Sequence, residues 1–120
     1  MRRLLLVLPA LALAASSLAF ARAGGGAPEA FRLADASAAC RTDGGALVCR
    51  SLGVGKGLEL PAAGIPRAID APVWWDASTP VLHAFDRDGV ACRVSGGAIV
   101  CHNAAGATIA VGPRQISVGL

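Results

Sequence analysis

From Phe31 onward the apolar residues come in short runs that alternate with polar ones, and none recurs at helical spacing over a useful length. The pattern predicts strands. Phe31–Leu33 is a short strand leading into a hairpin, and Leu58-Glu59-Leu60 is another. Val81–Phe85 is a further candidate, with Asp86-Arg87-Asp88-Gly89 as a turn after it. Ala107–Val111 and Gln115–Val118 form a last pair around Gly112-Pro113. Pro61, Gly64, Pro66 and Pro72 predict turns and loop in the middle of the chain. Glycines 53, 55 and 57 suggest a bulged or tightly turning edge.

Two of the predicted hairpins are copies. Ala39–Ser51 and Ala91–Asn103 are identical at 8 of 13 positions, at an offset of 52. Each reads strand, Gly-Gly, strand, and a diglycine loop suits the primed turns that need positive φ. With Gly44-Gly45 as the loop, paired residues have numbers that sum to 89. Asp43 then faces Ala46, Arg41 faces Val48, and Cys40 meets Cys49 at a non-hydrogen-bonded site, where side chains approach most closely. The same count pairs Cys92 with Cys101. Four cysteines allow three connectivities, and a bridge between the copies would close the longer loop. Register and the fast closure of short loops favour Cys40–Cys49 with Cys92–Cys101.

Alternation also assigns faces. Cys40, Thr42, Leu47 and Cys49 share one side, as do Cys92, Val94, Ile99 and Cys101, and this side should turn to the core. Arg41 and Arg93 lie on the other, each able to cover Val48 or Val100 while its charge stays in water.

The N-terminus has a different character. Arg2 and Arg3 precede an apolar run, Leu4–Leu13, and then two A-x-A sites ending at Ala21 and Ala23. This is the order of a secretory signal peptide, and it is too short for a membrane span. The expected organisation is a signal peptide over 1–23, containing the signal helix, and a flexible leader over 24–30. A single all-β domain over 31–120 follows, a small antiparallel sandwich or open barrel built on two disulfide-closed hairpins. The expected location is secreted or periplasmic, where disulfides persist.

Removal of that segment changes the charge. Arg2, Arg3 and Arg22 lie within it, leaving 8 basic against 8 acidic residues beyond Ala23. A neutral chain has no field to draw it to nucleic acid or anionic lipid. No nucleic-acid partner and no remaining transmembrane anchor are expected.

Candidate chemistry is sparse. Eight residues between cysteines is not zinc-knuckle spacing, and a redox dithiol usually needs C-x-x-C, so neither metal nor cofactor is expected. Gly55-Lys56 fails as a phosphate loop, because Arg50 and Gly57 stand where that motif needs Gly and Ser or Thr. His83 and His102 are the only imidazoles, and no nucleophile or paired carboxylate accompanies them at a telling spacing. Trp74-Trp75 is the one local oddity. Adjacent residues of a strand point to opposite faces, so one indole packs inward while the other marks a contact surface, or lies flat over the proline-rich loop.

The residues Phe31…Cys40…Gly44-Gly45…Cys49 and Pro80-Val81-Leu82…Cys92…Gly97…Val100-Cys101-His102-Asn103…Gly106 resemble a family of small exported bacterial proteins that carry a domain of unknown function. The chain departs from that family at Ala107-Thr108-Ile109, where a small-aromatic step is usual, and lacks the extra cysteines often found between the pairs. The resemblance implies fold and export, with no assigned activity. A weaker likeness, to repeats of regulator-of-chromosome-condensation propellers, rests on paired cysteines around a glycine turn; two copies cannot close a propeller. The functional expectation is a monomeric, non-catalytic module that binds a protein or cell-envelope component through Trp74 and Trp75. An exported protease inhibitor presenting Pro61–Pro72 is the alternative, and a small hydrolase the next.

Overall fold

The computed structural model describes residues 29–120, so the expected signal peptide and all of the leader but Glu29 and Ala30 lie outside the described residues. Ten strands follow: β1 (Ala30–Arg32), β2 (Ala38–Asp43), β3 (Ala46–Ser51), β4 (Gly57–Pro61), β5 (Arg67–Ile69), β6 (Phe85–Arg87), β7 (Val90–Ser95), β8 (Ala98–Asn103), β9 (Thr108–Val111) and β10 (Ile116–Gly119). They form two five-stranded antiparallel meanders, β1–β5 and β6–β10, each with its strands in chain order. Among the described residues no helix is long and apolar enough to cross a membrane.

The hairpin register is the one the diglycines dictate. Cys40 lies opposite Cys49 and Asp43 opposite Ala46, and Cys92 lies opposite Cys101. Gly44 and Gly45 have φ of 59° and 90°, Gly96 and Gly97 of 60° and 79°, which are the paired positive values of a primed turn. Disulfides close Cys40–Cys49 and Cys92–Cys101, with Cα atoms 4.0 and 4.1 Å apart.

The duplication reaches beyond the hairpins to every strand. Cys40 has Phe31 on its other flank and Cys92 has Phe85. Leu58 flanks Cys49 as Ile109 flanks Cys101, and Leu60 flanks Leu47 as Val111 flanks Ile99. The two meanders stack face to face as a sandwich, with these rows as its core. Phe31 and Phe85, counterparts in the two copies, meet with ring centroids 4.8 Å apart. A residue that touches its own counterpart marks an approximate two-fold axis. The sulfurs gather near it as well: Sγ of Cys40, Cys49 and Cys101 lie within 4.8 Å of one another. All four cysteines are bonded in pairs, so the cluster offers no thiolate to a metal.

Several expectations need correction. The Val81–Phe85 strand is not formed; Val81 makes only an isolated parallel bridge to Arg32, and the strand begins at Phe85. Asp86 and Arg87 are in that strand, and the turn shrinks to Asp88-Gly89, whose φ values of 54° and 84° again match a primed hairpin. The Pro61–Pro72 connection holds β5, since the three residues from Arg67 can pair with β4 without a proline in the ladder. β4 is no edge, because it lies between β3 and β5. Gly57 answers a different need: a Cβ there would sit 2.7 Å from the Cys49 carbonyl oxygen. Val94 is 45% exposed rather than core, because β6 pairs with β7 only over Val90–Cys92 and leaves Val94 on an open edge, whereas Ile99 across from it is buried.

Candidate functional site

The outer face of the first sheet is covered. Its rows run Ala30–Arg41–Val48–Glu59–Arg67 and Arg32–Ala39–Arg50–Gly57–Ile69. Val48 and Ala39 nevertheless expose only 3% and 0% of their surface. The cover is the segment from Asp70 to Pro80. Ala71 packs over Gly57, Trp74 lies with its ring centroid 4.6 Å from the Arg41 guanidinium carbon, and Trp75 meets Trp74 edge-on at 5.0 Å.

Each end of the segment is fastened. Lys56 Nζ reaches Asp70 Oδ1 at 3.1 Å. Arg32 Nε donates to the Thr79 carbonyl at 2.9 Å and Nη2 to that of Ala77 at 3.3 Å, while Trp75 Nε1 donates to the Ala36 carbonyl at 2.8 Å. Pro80 and Leu82 exchange backbone hydrogen bonds with Arg32, which lays this stretch along the outer edge of β1.

The two indoles therefore divide as follows. They are not in a strand, and their rings meet edge to face instead of pointing apart. Trp75 is buried and Trp74 half-buried. Arg41 does cover Val48, but its charge rests on an indole and its Nε is buried without an acceptor, as are Trp74 Nε1 and two nitrogens of Arg50. Arg93, in the second sheet, is exposed as the alternation expects.

Beside Trp75 runs a groove of about 390 Å³, with Leu52 and Val73 on its apolar wall and Arg32, Asp35 and Asp76 on its rim. Leu52 and Val73 are about half exposed, at 51% and 48%. Both carboxylates are fixed by nearby serines. Ser37 donates to Asp35 Oδ1 through its hydroxyl at 2.6 Å and its amide at 3.0 Å; Ser78 does the same for Asp76, at 2.5 and 2.8 Å. These bonds favour the ionised form and hold both carboxyls below the ordinary aspartate value.

His83 and His102 are both exposed, and neither lines the groove. Sequence reasoning missed Arg32, Leu52 and Val73, which have no motif and become a site only when the Asp70–Pro80 segment folds back. A comparison with protein-family models, curated proteins and solved structures finds no match.

Proposed function

We propose that this chain is an exported, non-catalytic β module that binds a protein or cell-envelope partner. One observation carries the reading: the groove beside Trp75 sets two half-exposed apolar side chains, Leu52 and Val73, between ionic groups on a rigid, disulfide-closed frame. An apolar centre with a charged rim is how contact sites are commonly built, and the aromatic beneath it is already immobilised. The signal-like N-terminus supports export, as do the paired cysteines and the resemblance to small exported bacterial proteins.

The test places a photo-cross-linking residue at Val73 in the full-length chain, expressed with its own N-terminus. A discrete adduct is expected in the cell envelope or its surroundings, and Leu52→Asp should abolish it while both disulfides stay closed. An adduct that survives Leu52→Asp, or its absence under all conditions, removes the reading.

The inhibitor reading has one observation in its favour. Ile65 is 74% exposed on a turn whose flanks are tied down, because Asn103 Nδ2 donates to the carbonyls of Pro61 and Gly64 at 2.9 and 3.0 Å. It requires that a protease cleaving after aliphatic residues be inhibited, and that Ile65→Asp relieve the inhibition.

A further inference from the structure

The first sheet shows what its outer face receives, and the second sheet presents the same face uncovered. Arg93, Val100 and Ala91 are the counterparts of Arg41, Val48 and Ala39. No described segment crosses them: Arg93 is exposed and the other two are half-buried, where Val48 and Ala39 are fully covered.

One substitution pair separates the faces further. On the first sheet Glu59 and Arg67 lie opposite each other and form an ion pair at 2.5 Å. Their counterparts are Ala110 and Ser117. Two small side chains stand where two long ones fill the first face, and a cavity of about 630 Å³ opens there, with Arg114 on its wall. Asp35 also lines it, but that carboxylate already accepts two hydrogen bonds from Ser37. Arg93 and Arg114 have no hydrogen-bonding or ionic partner among the described residues.

We propose that this outer face of the second sheet docks an extended segment of a partner protein that bears an indole between carboxylates. The chemistry is that of the first sheet's own cover, Asp-Ala-Pro-Val-Trp-Trp-Asp over residues 70–76, whose indole sits on an arginine and whose first carboxylate is paired with a lysine. The second face supplies the matching arginine, an apolar row, a recess for a bulky side chain and, in Arg93 and Arg114, two cations for the occupant's carboxylates, while Asp86, the acidic residue beside Ala91, stands on β6, away from the recess on β9 and β10. A second copy of this chain is a poor source of that segment, because its own is held by Arg32 and by the Trp75 indole N–H. The inference rests on the partner-binding reading and names a second surface for it, on the other sheet, whose recess shares only Asp35 with the groove at Val73.

The probe is the capped heptapeptide Asp-Ala-Pro-Val-Trp-Trp-Asp, titrated into the ¹⁵N-labelled, disulfide-closed protein. Saturable amide shifts are expected on β8 and β9, around Val100 and Ala110. Arg93→Ala should weaken binding about five- to thirtyfold, the range of a desolvated cation–π contact. The double substitution Ala110→Glu with Ser117→Arg rebuilds the pair that the first sheet tolerates, and should fill the recess and abolish binding. The same peptide with alanine for both indoles should not bind. No saturable shift at millimolar peptide overturns the proposal. So do shifts confined to the sheet around Arg41, or shifts that depend on protein concentration alone, the mark of self-association. Of the groove's residues only Asp35 also lines the recess, so no shifts are expected at Leu52 and Val73. Loss of binding here with the Val73 adduct retained removes this surface only, and the reverse removes the groove only.

Discussion

Ser51 and Asn103 are counterparts in the duplication, and each donates across the sandwich to the other copy. Ser51 Oγ donates to the Gly112 carbonyl at 2.7 Å and Asn103 Nδ2 to that of Pro61 at 2.9 Å. Gly112 follows Val111 as Pro61 follows Leu60, so the two acceptors are counterparts as well. Ser51 and Asn103 are the buried polar side chains of the described core, and a buried donor must find an acceptor. Here both acceptors lie in the opposite meander, so satisfying them fixes how the two sheets dock.

The two positions should not be equal in weight. Ser51 also accepts from the Val54 amide, whereas Asn103 donates to Gly64 and accepts from the amides of Ala105 and Ala107. Ser51→Ala is expected to cost about 1–2 kcal/mol and Asn103→Ala about 2–4, since the latter strands four backbone groups. Urea unfolding of the two variants measures both, and equal losses would remove the argument.

Trp74 and Trp75 should separate in the same way. Trp75→Phe removes the hydrogen bond to the Ala36 carbonyl and should lower stability by about 1 kcal/mol. Trp74→Ala removes a half-exposed ring and its cation–π contact, worth about 0.5–1 kcal/mol at such a site, and should leave a folded protein. If Trp74→Ala unfolds the chain, as judged by loss of amide dispersion, the indole is a structural plug and not part of a contact surface.

Much of the frame was legible because glycine pairs fix a register and a register fixes every residue in a hairpin. The second layer of the duplication was not. Counterparts are 52 residues apart in the hairpins but 54 at Phe31 and Phe85, 51 at Leu58 and Ile109, and 50 at Ala68 and Val118. Different loop lengths cause the drift: the link before β2 spans residues 33–37, and that before β7 only Asp88 and Gly89. Outside the hairpins only apolar character is shared, and that does not survive a shifting offset. The groove was invisible for another reason. Adjacent indoles suggest opposite faces only if the backbone is a strand; in an irregular crossing segment both can face one surface.

The disulfides make a sharp claim about covalent structure. A non-reducing peptide map should recover Cys40 with Cys49 and Cys92 with Cys101, although sulfurs of the two pairs lie within 4.8 Å. Removing either pair as alanines should cost about 2–3 kcal/mol for a loop of this length in the chain-entropy model. Peptides linked from one copy to the other would contradict the register itself.

The rim of the groove should stay charged in acid. Asp35 and Asp76 are both solvent-exposed, and the hydroxyl and amide of Ser37 and Ser78 bond the ionised carboxylates, so each folded-state value lies below the ordinary 3.8. A carboxyl depressed on folding adds stability above its unfolded value, and that contribution fades as pH falls through the lower, folded value. The loss therefore begins only below about pH 4 and continues downward, and mild acidification should leave the groove intact. Carboxyl carbon shifts followed against pH should place both midpoints under 3.8, with Ser37→Ala moving only Asp35 upward and Ser78→Ala only Asp76. Midpoints at or above 3.8 in the unaltered chain would mean that the serine turns do not form in solution, and the groove would then lack a fixed anionic edge.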